Sequence, residues 1–223
     1  NQYKAPKHEI TIAMCGKYNG LHDAYKSIIE AFIHSGIKNS AKVNLKWIDS
    51  EKIELKKDVD LKSIFKNIDG ILIPGGFGDR GIEGKIISSK FARENKIPFF
   101  GICLGMQLAV IEIARNVLKL KNAHSTEFKK TTNPVVGLMT EWLNKDKLEK
   151  RNKSSDKGGT MRLGAYKALL KDGSKIQKIY KKNEISERHR HRYEVNTKYI
   201  EAFNKKGFEF TAMSPDSILP EAI

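Results

Sequence analysis

The chain has 223 residues, of which 39% are hydrophobic and 30% charged, as in ordinary globular domains rather than disordered or fibrous chains. Its formal net charge of +15 raises the alternative of a nucleic-acid-binding protein, but the lysines are spread along the chain without a zinc-finger or RNP pattern. The longest apolar stretch, residues 99–114, is too short and too polar to span a bilayer, and two cysteines do not support a disulfide framework. We therefore expect a cytoplasmic protein with no nucleic-acid or membrane partner.

Strands alternate with helices over the first half of the chain. This order predicts an α/β fold with a mostly parallel central sheet flanked by helices. Short apolar runs indicate the strands, and apolar residues at helical spacing indicate the helices. In chain order the predicted elements are a strand at 9–14, a helix at 23–35 ended by Gly36, a strand at 43–48, a helix at 61–67, a strand at 70–73, a helix at 82–95, a strand at 97–102 and a helix at 104–118.

The second half is less regular. A lysine-rich segment at 143–158 is interpreted as a polar loop or insertion. The remaining predictions are a strand at 164–170, a short helix at 176–180, a charge-dense segment at 187–195, a helix at 199–204, a strand at 208–213 and the start of another strand at the end. Residues 1–8 are interpreted as the remnant of an interdomain linker and residues 9–223 as one domain.

Cys103 lies between a predicted strand and a predicted helix, with Gly101 and Gly105 two residues away on either side. This is the Gly-x-nucleophile-x-Gly pattern of a nucleophile elbow, with sulfur in place of a serine oxygen. The helix N-terminus favours the thiolate, which is the reactive form. The alternative is a small buried cysteine in a strand-to-helix turn. The two flanking glycines favour the nucleophile.

A second motif, Pro-Gly-Gly-Phe-Gly at 74–78, ends the predicted strand that precedes the elbow strand. A thiolate that attacks a carbonyl needs N–H donors for the oxyanion. The backbone N–H of Leu104 is one candidate, and this loop offers a second, because neighbouring parallel strands end at the same edge of a sheet. A tight turn that requires glycine is the alternative.

Together these motifs resemble those of the class I, triad-type glutamine amidotransferases, and further segments resemble the glutaminase domain of CTP synthases. The resemblance runs from about His8 to the end. The segments are Gly-Lys-Tyr at 16–18 with Asp-Ala-Tyr-Lys-Ser at 23–27, Ala-His-Ser-Thr-Glu-Phe at 123–128, Gly-Gly-Thr-Met-Arg-Leu-Gly at 158–164 and Glu-Arg-His-Arg-His-Arg-Tyr-Glu-Val-Asn at 187–196. Two alternatives stay open: another amidotransferase or glutamyl hydrolase of this fold, and a non-catalytic basic module that binds nucleotide or nucleic acid.

The resemblance implies that Cys103 attacks the side-chain amide of L-glutamine, forms a thioester and releases ammonia for the amination of UTP to CTP. It assigns the oxyanion-hole N–H groups to Gly76 and Leu104. It assigns glutamine binding to Gly76, Leu104, Gln107, Glu127 and Arg192. A carboxylate can accept from the substrate ammonium, and a guanidinium can hold the substrate carboxylate. The alternatives are a surface charge for Glu127 and a solvated basic cluster for Arg192.

The alternating histidines His189 and His191 raise the alternative of a metal site. No cysteine or carboxylate cluster completes a ligand set in the sequence, and we expect no metal. The catalytic histidine and glutamate of the family lie in a Phe-His-Pro-Glu segment that this sequence does not contain. We therefore expect the chain, taken as a fragment, to be weakly active or inactive, because no positioned acid protonates the leaving ammonia.

For the full-length enzyme the resemblance implies ATP, Mg²⁺, a GTP activator, an amino-terminal synthase domain and a homotetramer, with no cofactor in this domain. The activator is assigned to Phe77, Thr160 and Arg162. An aromatic face suits a base, and a hydroxyl and a guanidinium suit phosphates and sugar. The alternative is that residues 158–159 form a simple turn and that Arg162 is a surface charge.

Overall fold

The computed structural model describes residues 6–17, 22–56, 58–138 and 161–223. The chain forms two compact units, Asn1–Glu112 and Ile113–Ile223. The predicted insertion at 143–158, Thr160 and residues 1–5 of the predicted linker lie outside the described residues. No helix in the described ranges combines the length and apolarity that a bilayer crossing requires.

The first unit contains a parallel four-stranded sheet in the order β2-β1-β3-β4, with helices packed on both faces. This confirms the predicted fold class. Its elements are β1 (His8–Gly16), a 3-10 turn (His22–Tyr25), α1 (Lys26–Asn39), β2 (Ala41–Asp49), α2 (Ser50–Leu55), α3 (Leu61–Ile64), β3 (Gly70–Ile73), α4 (Ile82–Glu94), β4 (Phe99–Gly101) and the first turns of α5 (Leu104–Asn116).

The core of this unit follows from the alternation of side chains along β1. Ala13 and Cys15 lie in a buried cluster with residues of α2 and α4, whereas Met14 lies in a second cluster with residues of α1. β3 is buried along its whole length and contributes to both clusters. Burial on both faces holds the central strands in register, with Met14 opposite Leu72, so the loops after β1 and β3 leave the same edge of the sheet.

The second unit contains two further sheets, of three and four strands, whose strand pairing the sequence did not indicate. One is a mixed sheet in the order β5-β6-β9, and the other is antiparallel in the order β11-β10-β7-β8. The elements are β5 (Ala123–Ser125), β6 (Asn133–Leu138), β7 (Arg162–Leu170), α6 (Lys175–Tyr180), β8 (Glu184–His191), β9 (Tyr193–Val195), α7 (Ile200–Asn204), β10 (Ala212–Met213) and β11 (Pro220–Ala222).

Sequence patterns missed α2, β5 and β6 and described β8 only as a charge-dense segment. β5 has three residues and α2 has six, too few to show a period. β8 lies at the edge of its sheet, and only Ile185 among its eight residues is buried. A strand without a buried face shows no alternation of apolar and polar residues.

The prediction that Gly36 ends its helix is wrong. Gly36 lies buried within α1. The helix continues to Asn39, and Ser40 ends it in the left-handed conformation with φ 53°. The backbone approaches Gly36 closely, because a Cβ at this position would lie 2.5 Å from the carbonyl oxygen of Ala41. Glycine is therefore needed here for packing between α1 and the start of β2.

This packing predicts that replacing Gly36 by alanine destabilises the fold, the opposite of the usual effect in a helix. In a helix interior the change usually stabilises by about 1 kcal/mol. We expect Gly36→Ala instead to lower the free energy of unfolding by about 1–3 kcal/mol, because Cβ overlaps the Ala41 carbonyl. Urea denaturation measures the change. The neighbouring exposed position provides the control, Ser35→Ala, which should stay within about 0.5 kcal/mol; a stabilised Gly36→Ala would contradict the close approach.

Candidate active site

Cys103 occupies a sharp turn between β4 and α5. Its φ is 53°, in the left-handed region that residues with a side chain rarely use. Such a backbone stores strain, which persists only where the surroundings hold it in place. α5 begins at the next residue, so the thiol stands at the N-terminus of a 13-residue helix. The chain thus has the strand-to-helix geometry of a nucleophile elbow.

Each of the two glycines around Cys103 is required for its own steric reason. A Cβ on Gly101 would overlap the backbone of Gly105, and a Cβ on Gly105 would overlap the carbonyl group of Ile73. The same Ile73 carbonyl oxygen accepts a hydrogen bond of 2.9 Å from the N–H of Ile102. The first turn of α5 therefore lies directly on the end of β3, and only residues without a side chain allow that approach.

The glycine loop 74–78 lies beside the elbow. A Cβ on Gly75 would lie 3.6 Å from Cβ of Cys103, and a Cβ on Gly76 would lie 3.8 Å from Cδ2 of Leu104. Only Gly78 in the loop has a left-handed backbone, with φ 78°. The turn alternative therefore accounts for Gly78 but not for Gly75 and Gly76. Their lack of side chains instead leaves the backbone beside Cys103 uncovered.

Leu104 and Gln107 belong to the first turn of α5. Both are buried, and the Gln107 N–H donates to the Cys103 carbonyl at 3.2 Å. The first four N–H groups of a helix have no intrahelical acceptor, and Leu104 is the first helical residue. Its N–H is therefore a donor that the helix itself does not use.

The other cysteine has a different environment. Cys15 lies on β1 and is fully buried, and burial raises the pKa of its thiol to about 12. Cys103 is only partly buried. A thiol that cannot ionise near neutral pH is a poor nucleophile, so the two cysteines differ in the property that thiol chemistry requires.

In the second unit, Glu127 and Arg192 lie at the end of the β5-β6-β9 sheet where β6 ends. β5 runs parallel to β6, and Glu127 lies just after its end. β9 runs antiparallel to β6 with Tyr193 opposite Leu138, so Arg192 lies just before its start. A carboxylate and a guanidinium thus lie at the same end of this sheet, next to the two strands that flank β6, although they are 65 positions apart in the sequence.

Two buried side-chain atoms at this end of the sheet lack a hydrogen-bond partner. Among the described residues, Nε of Arg192 and Oγ1 of Thr126 are the buried side-chain polar atoms without a hydrogen bond. Buried polar groups are otherwise paired in most proteins, so such atoms need an explanation such as a ligand or water. Thr126 was not predicted from the sequence. Its position next to Glu127 was the available signal.

Comparison with known proteins now identifies the family. Residues 21–223 match the family model described as Glutamine amidotransferase class-I. The chain belongs to the class I glutamine amidotransferases. The amidotransferase chain is also 57% identical over 223 residues to the CTP synthases of Brucella anthropi and Rhizobium johnstonii. It is 58% identical over 215 residues to that of Bartonella quintana.

These alignments cover 100% of this chain for the first two relatives and 96% for the third, but only 41%, 41% and 39% of the relatives themselves. The chain thus spans about two fifths of their length. A solved structure described as "Trypanosoma brucei CTPS - glutaminase domain with bound acivicin" matches with a TM-score of 0.81 and 38% identity, covering 95% of this chain and 78% of that one. Within its family, the chain therefore falls among the glutaminase domains of CTP synthases.

Arg162 of this amidotransferase is not the surface charge that the alternative interpretation expected. It is only 7% exposed, and its Nη1 and Nη2 donate to Glu194 at 3.1 Å and to Glu221 at 2.7 Å. Its guanidinium also lies over the ring of Tyr166, 4.4 Å from the centroid. Arg162 therefore links β7 to β9 and to β11 through buried ion pairs.

The two histidines next to this network also have protein partners. Nε2 of His189 lies 2.8 Å from Oε2 of Glu221, and this hydrogen bond raises the pKa of His189. Burial, assisted by the positive charge of His189, lowers the pKa of His191 to about 4. Within the described ranges, no group of three or more histidine, cysteine or acidic residues is arranged to hold a metal ion.

The His189–Glu221 pair predicts a pH-dependent contribution to stability. Because the hydrogen bond to Glu221 raises the pKa of His189 above its ordinary value of 6.5, the stabilisation by the pair is complete below that pH and is lost as the pH rises through the folded pKa. We expect His189→Gln to lower the free energy of unfolding by about 1–3 kcal/mol at pH 6 and by less at pH 9. Urea unfolding at several pH values measures this difference.

His34→Gln, at an exposed position of α1, controls for the substitution itself. A loss of stability at His189→Gln that stays constant from pH 6 to pH 9 would show that the ionised pair contributes nothing.

Proposed function

We propose that this chain hydrolyses glutamine within a CTP synthase and supplies ammonia for the amination of UTP to CTP. The observation that carries the proposal is the left-handed Cys103, between two sterically required glycines and beside the loop 74–78. The CTP synthases that match along the whole chain support the choice of acceptor reaction. The ammonia is used by a synthase domain of the same polypeptide.

In the proposed reaction, Sγ of Cys103 forms a bond to the side-chain amide carbon of glutamine. The carbonyl oxygen becomes an oxyanion that accepts from the N–H groups of Gly76 and Leu104. The C–N bond breaks, the nitrogen takes a proton and leaves as ammonia, and water then hydrolyses the thioester to glutamate. The resemblance assigns this proton transfer to a histidine and a glutamate of a Phe-His-Pro-Glu segment, which residues 1–223 do not contain.

Glu127 and Arg192 are proposed to bind the amino-acid end of glutamine, and Gln107 is proposed to contact the same substrate from α5. Glu127 can accept from the substrate ammonium, and Arg192 can donate to its carboxylate. The unpartnered Nε of Arg192 supports this assignment, because a carboxylate would supply its missing acceptor.

Family membership disfavours the alternative of a non-catalytic basic module. The net charge of +15 then reflects a lysine-rich surface that can attract anionic ligands rather than a dedicated nucleic-acid site. In this proposal residues 9–223 are one amidotransferase domain, and the full-length enzyme is a cytoplasmic homotetramer that uses ATP and Mg²⁺ in the synthase reaction.

Cys103→Ala in the full-length enzyme tests the proposed function. We expect it to lower glutamine-dependent CTP formation by more than about a thousandfold, because the nucleophile is gone. CTP formation from added ammonia should stay within about twofold, because that reaction bypasses the thioester. Cys15→Ala provides the control, which should keep glutamine-dependent activity in folded protein. Full glutamine use by Cys103→Ala would refute the proposal.

Arg192→Ala tests the assignment of the substrate carboxylate. Loss of one member of a buried charge pair costs on the order of 2–5 kcal/mol, so the glutamine KM should rise at least about thirtyfold. Ammonia-dependent CTP formation should be unchanged. Arg190→Ala removes an exposed arginine of the same basic run and should leave the glutamine KM near its original value. Equal effects of the two substitutions would favour the solvated basic cluster.

We also propose that GTP activates the enzyme through Phe77, Thr160 and Arg162. Phe77 is 53% exposed and directly follows Gly76, so a base stacked on it can bias the proposed oxyanion donor. Arg162 is held by Glu194 and Glu221, so a phosphate at its guanidinium would compete with these carboxylates.

Phe77→Leu should therefore abolish GTP stimulation of glutamine-dependent CTP synthesis and preserve the ammonia-dependent rate. Phe100→Leu changes another exposed phenylalanine, 61% exposed on β4, and should retain stimulation. Normal GTP stimulation of Phe77→Leu would exclude Phe77 from the activator site.

A further inference from the structure

We infer that Lys17 is a positioning residue for the loop 74–78, and that its ammonium holds the loop in the conformation that presents the Gly76 N–H to the oxyanion. This inference rests on the proposed glutaminase function. It concerns a residue that the function has not used so far, since Lys17 belongs neither to the elbow nor to the loop.

The fold brings Lys17 to the loop from the neighbouring strand. Lys17 follows the last residue of β1, which pairs with β3 in parallel with Met14 opposite Leu72. If this register is continued by two residues on each strand, Gly16 is level with Pro74, the first residue of the loop. Lys17 and the loop therefore leave the same edge of the sheet from adjacent strands.

The ammonium of Lys17 donates a hydrogen bond to the carbonyl oxygen of Phe77. It also lies close to Gly78, where a Cβ would be 3.7 Å from Nζ. A peptide group is planar, so a fixed carbonyl of Phe77 also fixes the N–H of Gly78. The lysine thus sets the orientation of the Phe77–Gly78 peptide.

The loop needs such a restraint because three of its five residues are glycines. Glycine permits a wide range of backbone conformations, so the peptide groups on either side of Gly75 and Gly76 can rotate at little cost. β3 restrains the start of the loop, since the Ile73 carbonyl accepts from the Ile102 N–H. The Lys17–Phe77 bond restrains its end, and Gly76 lies between the two restraints.

Lys17 also interacts electrostatically with a second cation, Lys85. Lys85 of α4 is only 2% exposed, and its pKa is lowered to about 8, first by burial and then by the charge of Lys17. The two ammonium groups repel each other. The carbonyl oxygen of Phe77 stabilises the charge of Lys17 by accepting a hydrogen bond from its ammonium. Lys17 therefore acts through the loop backbone rather than through an ion pair with a loop side chain.

The experiment compares Lys17→Met with Lys17→Arg and Lys42→Met in the full-length enzyme. Lys42→Met is the matched control, because Lys42 forms an exposed ion pair with Glu9 at the other end of the strands. Loss of an oxyanion donor lowers kcat by about 10²–10³, so a donor that is only misplaced should lower it by about 10–100-fold. We expect this decrease for Lys17→Met in glutamine hydrolysis, with the glutamine KM changed less than about threefold.

Two further measurements distinguish a loss of loop positioning from a loss of folding. Ammonia-dependent CTP formation and alkylation of Cys103 by iodoacetamide should be unchanged in Lys17→Met, because neither uses the oxyanion donors. Lys17→Arg, which keeps a cationic donor, should recover part of kcat. A kcat within twofold of the original enzyme, a change confined to KM, or a parallel loss of ammonia-dependent activity would each overturn the inference. Cys103-dependent glutamine hydrolysis by the unsubstituted enzyme tests the proposed function separately.

Discussion

The contact between the first turn of α5 and the end of β3 is the constraint on which the candidate site depends. Gly105 approaches the carbonyl of Ile73, and the N–H of Ile102 donates to the same carbonyl. Because strand and helix join within two residues, Cys103 takes a left-handed backbone that costs on the order of 1–3 kcal/mol. The buried parallel strands β1 and β3 offset this strain. The same end of β3 leads into the glycine loop beside the thiol, so the proposed nucleophile and the proposed oxyanion donors depend on one packing arrangement.

The second unit contains two arginines with different environments. Arg162 pairs with Glu194 and Glu221, and these ion pairs link strands that are distant in sequence. Arg192 keeps a buried Nε without a protein acceptor. Arg162 is a buried residue and Arg192 a partly buried one, and they differ in whether a protein acceptor meets the buried side-chain nitrogen. A buried arginine that is fully paired holds the fold together, whereas one with an unused donor is suited to bind an anionic substrate group.

The sequence predicted the features that depend on local pattern. Buried parallel strands such as β3 were located because they are continuous apolar runs, and the elbow was found because its glycines lie at fixed spacing around Cys103. Features that depend on distant contacts were missed. The sequence predicted Gly36 as a helix terminator, but its role depends on the close approach of the Ala41 carbonyl, and the buried state of Arg162 depends on Glu221, 59 positions away. The edge strand β8 carries charges on both faces and gave no periodic signal.

Chemical labelling of the two cysteines tests the central claim, that the fold makes Cys103 and not Cys15 the nucleophile. The full-length enzyme is treated with a chloroketone analogue of glutamine, and the modified peptides are identified by mass spectrometry. The buried, high-pKa thiol of Cys15 serves as the internal reference. The account predicts rapid modification of Cys103 alone and protection by excess glutamine. Equal modification of both cysteines, unaffected by glutamine, would contradict it.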